Sequence, residues 1–315
     1  MQSNPPKPAI PPLLGIAFGI LAVSTASIFI RYAQSYAPSL VIAAYRLTIA
    51  TLVLAPFALR RKNELGRLQR GEKGLAVLSG VFLAIHFATW ITSLAYTSVA
   101  SSVVLVCTTP LFVALFSPFT IKEPLSRIAG VGMLAALAGG VIVGLSDTCT
   151  LRGFSIACPA LGEFLHGQAF LGDLLALSGA MAAAGYVIIG RRLRAKLSLA
   201  SYVFAVYGTA AVVLVLLMLA NGQTPLGYPA LAYLWFLLLA LIPQLIGHST
   251  FNWALGYLSA AFVSVTLLGE PIGSTILAYF LLNEQPSVLK VIGAILIFAG
   301  IIIASQSERK TATKP

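Results

Sequence analysis

An internal repeat constrains this chain more than any other feature. Its apolar stretches come in two groups of five, and the second group follows the first at an offset of about 161 residues. The shift superposes Tyr96 on Tyr257, Ser98 on Ser259, Pro110 on Pro271, Phe119 on Phe280, Glu123 on Glu284, Gly132 on Gly293 and Gly139 on Gly300. Residues 94 to 142 give 13 identities in 49, where chance in so biased a composition gives under roughly a tenth. Earlier matches are weaker and sit near offset 160, such as Leu14 on Leu174, Ala22 on Ala182 and Arg31 on Arg191.

Hydrophobic residues make up 58% of the chain and charged residues 9%, so its main solvent is lipid rather than water. A crossing takes about 20 mainly apolar residues. Hydropathy places ten: 12 to 32, 38 to 59, 74 to 95, 99 to 120, 127 to 146, 170 to 190, 199 to 220, 230 to 250, 260 to 282 and 287 to 305. All are expected to be helices, because backbone left unpaired in hydrocarbon is too costly and the runs lack barrel-strand alternation. The expected fold is therefore an all-α integral membrane protein of ten transmembrane helices. Residues 1–146 form one five-helix repeat, 147–169 an outer loop, 170–305 a second repeat and 306–315 a tail. Five crossings per repeat turn the two copies into opposite orientations, a construction many secondary transporters use.

A net charge of +11 invites a nucleic-acid reading, but its location argues otherwise. With the amino terminus inside, 16 of the 20 Lys and Arg residues fall in inner segments, notably Arg60, Arg61, Lys62, Arg67, Arg70 and Lys73, then Arg191, Arg192, Arg194 and Lys196. The positive-inside rule then puts both termini in the cytoplasm. The linker after the second span carries six basic residues, whereas Asn221 to Pro229, its counterpart, carries none. Equivalent segments thus lie on opposite faces. The Pro-rich start, Pro5 to Pro12, leads into a first span too long for a signal h-region, which is expected to be retained.

Each half closes with a mid-helix proline, a turn containing Glu (Lys122-Glu123-Pro124-Leu125; Asn283-Glu284-Gln285-Pro286) and a Gly-rich helix (Gly130, Gly132, Gly139, Gly140; Gly293, Gly300). With Tyr45-Arg46 in the second span, this pattern resembles the drug/metabolite transporter superfamily, specifically its EamA-type ten-helix exporters. Within it the chain looks most similar to the bacterial aromatic amino acid and methyl viologen exporter group. The resemblance implies a multi-pass protein of the bacterial inner membrane that exports amino acids, related metabolites or amphipathic drugs.

Ionised groups at bilayer depth usually face protein or a water-filled cavity. Arg46 and Glu270 are the two deep ones. Arg46 either makes a structural pair or carbonyl clamp, or meets a substrate carboxylate. Glu270, in Gly269-Glu270-Pro271-Ile272-Gly273, either binds a substrate ammonium or coupling proton, or balances Arg46. His86 and Trp90 share a helix face; His248, Asn252 and Trp253 form a similar set in the other half. These five are candidate cavity residues, with Tyr96, Tyr257, Tyr186 and Gln244 weaker ones. A satisfied interhelical histidine is the competing reading for each His. Pro110 and Pro271 are candidate hinges, and static kinks leave the same trace. Glu123 and Glu284 read as structural or gate residues at tight turns. Cys149 and Cys158 lie in the longest outer loop, where a disulfide is permitted in an oxidising compartment; two free thiols are the alternative.

No His-Glu-x-x-His helix, intramembrane aspartate pair, nucleophile elbow or phosphate loop is present, which argues against an enzyme or an ATP-driven pump. No metal site or cofactor is expected. The expected partners are a small-molecule substrate and the lipid bilayer, not nucleic acid. A channel is the alternative to a carrier, and saturable counterflow separates them.

Overall fold

The structure is a computed structural model, and it describes residues 10–120, 127–146, 149–152, 155–158, 161–258 and 260–312. It is a helical bundle with one small hairpin. In chain order the helices are α1 (Pro12–Ser24), α2 (Ala26–Gln34), α3 (Ser39–Leu59), α4 (Lys62–Gly66), α5 (Arg70–Ser93), α6 (Val99–Val106), α7 (Thr109–Thr120), α8 (Arg127–Ser146) and α9 (Leu161–Leu165). There follow α10 (Gln168–Arg194), α11 (Leu199–Ala220), α12 (Ala230–Leu239), a π-helix (Ala240–His248), α13 (Ser249–Ala254), α14 (Ala260–Thr266), α15 (Gly269–Leu282) and α16 (Val288–Ala312). Strands β1 (Thr150–Arg152) and β2 (Ser155–Ala157) pair antiparallel beside a Cys149–Cys158 disulfide.

Among the described residues, eight helical stretches are long and apolar enough to cross a membrane: Pro12–Gln34, Ser39–Leu59, Arg70–Ser93, Val99–Phe116, Gln168–Arg194, Leu199–Ala220, Ala230–Ala254 and Phe262–Leu282. The apolar parts of α8 and α16, Gly130–Val143 and Val288–Ile303, are shorter. Large apolar side chains cover the outside, among them Phe18, Leu52, Leu134, Leu216, Phe280 and Ile295, while Arg46 is fully buried. A soluble protein does not expose apolar surface on that scale; in lipid, this is the lowest-energy arrangement.

Small residues set the helix contacts, as expected where lipid removes the hydrophobic drive to associate. A Cβ at Gly139 would lie 2.6 Å from the Gly293 carbonyl, and one at Gly293 would lie 2.8 Å from the Gly139 carbonyl. Gly300 meets Gly132 in the same seam. Early residues of α8 therefore face late residues of α16, so the two helices run antiparallel. Gly15 against Trp253 and Gly19 against Thr250 orient α1 antiparallel to the π-helix and α13. Gly179 against Thr89 and Gly172 against Thr97 do the same for α10 and α5.

Three expected continuous spans are interrupted. The first breaks at Thr25, whose hydroxyl bonds the Ala22 carbonyl at 2.8 Å. The fourth and ninth break at equivalent places, Cys107-Thr108 and Leu267-Leu268. Each break lies two to four residues ahead of a proline, Pro110 or Pro271. The ring cannot accept the carbonyl four residues back and offers no N–H, so the helix must open there. Pro243 acts differently. It sits within the π-helix, whose wider turns relieve the same clash without a break.

Candidate functional site

The two proline breaks meet at a central cavity. Its walls come from α5 (Leu83, His86, Trp90), the α6–α7 break (Val106, Cys107, Thr109), α10 (Ala183, Tyr186, Val187), the π-helix and α13 (His248, Phe251, Asn252, Leu255), and the α14–α15 break (Val263, Leu267, Glu270). Both sequence halves contribute. Of the residues expected from sequence, His86, Trp90, His248, Asn252 and Glu270 come together here, and Tyr186 joins them.

The polar groups are held in a defined order. His86 Nδ1 lies 3.0 Å from the Gly179 carbonyl. Its ring stacks on Trp90 with centroids 5.8 Å apart and meets the His248 ring edge-on at 6.4 Å. Tyr186 donates to Asn252 Oδ1 at 2.6 Å, and Asn252 Nδ2 donates to the Tyr207 hydroxyl at 3.2 Å and the His248 carbonyl at 2.9 Å. Cys107 contacts the Leu267 carbonyl at 3.7 Å, so the two helix breaks touch. Glu270 stands at the start of α15, in the amino-terminal turn that favours negative charge. His86 is held through Nδ1, whereas the amide of Asn252 is engaged at both ends and braces the wall.

Arg46 lies behind this wall. Its Nε donates to Gln244 Oε1 at 2.8 Å, and its guanidinium stacks 4.1 Å from the Phe87 ring centroid and 5.9 Å from that of Trp90. Arg46 and Glu270 make no direct ion pair: among the described residues the ion pairs are Arg31–Glu284, Arg61–Glu64 and Lys196–Glu72, and Glu270 acts on Arg46 only through its longer-range field. Arg46 turns toward the π-helix amide and the aromatic face instead.

Besides Arg46 and Gln244, three more candidates fall outside the cavity wall, Tyr257 among them. Tyr96, in the turn after α5, is 37% exposed. Trp253 packs on Gly15 and Tyr257. One step along a helix turns a side chain by about 100°, so with Asn252 facing the cavity its neighbour must look toward α1. Pro110 is buried beside the first break, and Pro271 beside the second. Glu123 lies outside the described residues.

Sequence reasoning missed Cys107, Thr109 and Phe87, and gave Tyr207 no role. The first two flank the break that Pro110 forces, which was a usable signal. At the 161-residue offset of the closing helices Tyr207 is the counterpart of Arg46. It also missed how one end of the bundle is tied. Arg31 donates to Glu284 Oε1 at 2.9 Å and to the Leu94 carbonyl at 2.6 Å, and Glu284 Oε2 accepts the Val99 amide at 2.9 Å. Asn283, left-handed at φ 55°, ends α15 and turns Glu284 inward. In the other half Arg191 donates to the Leu255 carbonyl at 2.7 Å, and Leu255 is the repeat counterpart of Leu94.

Comparison with known proteins accounts for this architecture. The model of the EamA-like transporter family matches the chain twice, over residues 11–145 and 170–306. An uncharacterized transporter of Clostridium kluyveri is 25% identical over 268 residues, covering 83% of this chain and 82% of its own. The pseudopaline exporter CntI of Pseudomonas aeruginosa is 24% identical over 299 residues, covering 94% and 97%. A solved crystal structure shares the fold with a TM-score of 0.65 at 20% identity, covering 96% and 99%. This chain therefore belongs to the EamA-like transporter family of the drug/metabolite transporter superfamily: it is a multi-pass membrane transporter, not an enzyme.

Proposed function

We propose that the chain is a secondary transporter that exports amino acids and related small amphipathic metabolites or drugs across the bacterial inner membrane. It works by alternating access through the central cavity. The observation that carries this reading is the cavity itself, built where two proline-broken helices from different halves touch and lined from both. Aromatic and hydrogen-bonding side chains pointing inward suit an amphipathic guest.

In this reading residues 1–146 and 170–305 are inverted copies with both termini cytoplasmic. Three observations support it. The family model matches each half separately. The halves meet through antiparallel helices, α8 with α16. The contacts also repeat: shifting the Gly19–Thr250 pair by 161 residues gives Ala180 and Thr89, one residue from the observed Gly179–Thr89 contact. Under this topology Arg31–Glu284 closes the outer end, and the cavity walls reach from mid-bilayer to Leu255 at the inner end. Pro110 and Pro271 then mark the bending points as the copies rock. Placement in the aromatic amino acid and methyl viologen exporter group is part of the same proposal and rests on the repeat motifs and Tyr45-Arg46.

The test is purified protein in liposomes assayed for counterflow of labelled amino acids, with Glu270→Gln and His86→Ala alongside. A carrier gives saturable counterflow that Glu270→Gln lowers. Flux that rises linearly with concentration and shows no counterflow would identify a pore instead.

A further inference from the structure

Resting on that transport reading, we infer that Arg46, together with the indole N–H of Trp90, is a built receptor for a carboxylate group of the cargo. Arg46 is fully buried. Its Nε is used by Gln244, but Nη1 and Nη2 have no hydrogen-bond partner among the described residues, and neither does Trp90 Nε1. Every one of these unmatched atoms is a donor. Reversing the amide of Gln244 does not relieve them, because its oxygen is already fixed on Arg46 at 2.8 Å.

Buried donors beside a positive charge are matched most strongly by an anion, whose charge-assisted bonds are about twice as strong as those of a neutral acceptor. Among the described residues no Asp or Glu lies within ion-pair distance of Arg46; Glu270 reaches it only as a longer-range charge and fills none of these donors. Holding a buried guanidinium without a counter-charge is strongly unfavourable. Its shape narrows the choice. Nε is engaged and the guanidinium carbon sits over Phe87, 4.1 Å from its ring centroid, which leaves the two terminal nitrogens as a planar fork. That fork fits the two oxygens of a carboxylate.

Access comes through parts built to move. Trp90 is itself a wall of the central cavity, and Gln244 sits in the π-helix, a segment type common at functional sites. A small shift of the Trp90 ring or of the π-helix joins the fork to the cavity. Cargo with a free carboxylate then reaches Arg46 while its apolar body stays between the aromatic walls.

The test uses full-length protein carrying Trp235→Phe and Trp253→Phe, which leaves Trp90 as the one indole, since the chain has 3 Trp residues. Its fluorescence is titrated in chloride-free methanesulfonate buffer with L-phenylalanine, L-phenylalanine amide and phenethylamine, then with sodium chloride. The acid is expected to bind about tenfold or more tightly than the amide or amine, the effect of a charge-assisted hydrogen-bonded pair. Arg46→Lys keeps the charge but loses the fork, and should bring the acid close to the amide. Equal binding of acid and amide, no response to the acid, or the same response to chloride alone would each overturn the inference, and wild-type Arg46 protein suffices to see them. Counterflow of the same compounds separates the two claims. Transport that ignores the carboxylate sinks the receptor and leaves the carrier, whereas carboxylate binding without any counterflow does the reverse.

Discussion

Removing the charge of Glu284 should unlock one end of the transporter, and the size of the effect follows from the bonds it makes. Glu284 accepts from Arg31 at 2.9 Å and from the Val99 amide at 2.9 Å, tying α2 and the start of α6 to the turn after α15. Hydrogen bonds to charged groups contribute about 1.5 to 3 kcal/mol each. The Arg31 and Glu284 side chains are 32% and 21% exposed, so solvent screening brings the net loss in Glu284→Gln to about 1 to 2 kcal/mol. If these bonds exist only while that end is closed, the open population rises about 5- to 30-fold. Cys107 provides a native readout. It lines the cavity and is the chain's free thiol, the other two being bridged. Its modification by a membrane-impermeant maleimide, applied from the face on which Glu284 lies, should accelerate by that factor in Glu284→Gln and similarly in Arg31→Met. The double variant should add little, because both changes break one contact. Unchanged labelling from that face in either single variant refutes the reasoning, as does acceleration confined to the opposite face.

The remaining predictions concern packing and pH. Gly300→Val puts a side chain where even a Cβ would lie 2.5 Å from the Gly132 carbonyl and 2.7 Å from the Ala136 amide; it should cost about 1 to 3 kcal/mol, read as a lower melting temperature in detergent. Gly130→Ala, with nothing within 4 Å, should be neutral or mildly stabilising in the same assay. Between the second and third spans, burial pushes Glu64 up, but hydrogen bonds from Ser198, Ser201 and Arg61 outweigh it and hold the carboxyl at about 2. A depressed carboxylate contributes stability above its ordinary pKa of 4.5, which is lost as pH falls toward 2. Glu64→Gln should therefore lower the melting temperature slightly at pH 7, by under about 1 kcal/mol after screening, and the gap to wild type should close in acid.

How much of this was legible from residues alone depended on whether the deciding physics was local. The proline breaks were, because a missing N–H and a ring clash act within four residues of Pro110 and Pro271. So was the shared face of His86 and Trp90, set by helical spacing. Membership in the family was legible because the repeat preserves its turn and glycine positions. The partner of Arg46 was not, since it depends on how α3 rotates against the π-helix, and composition offered Glu270 as the obvious mate. Trp253 fell outside for the same reason: its type suggested the cavity, but its phase against Asn252 sends it to Gly15. Arg31–Glu284 joins residues 253 apart in sequence, and no local pattern announces it.

The carrier mechanism requires the two halves to be antiparallel, and the most direct measurement is the sidedness of equivalent loops. Cysteines placed at the exposed positions Asn63 and Asn221, one at a time in a Cys107→Ser background, are labelled in sealed vesicles of known orientation with an impermeant maleimide. Inverted repeats predict labelling from opposite faces, with position 63 on the cytoplasmic side. Labelling of both from the same face would contradict the inverted architecture, and with it the carrier mechanism.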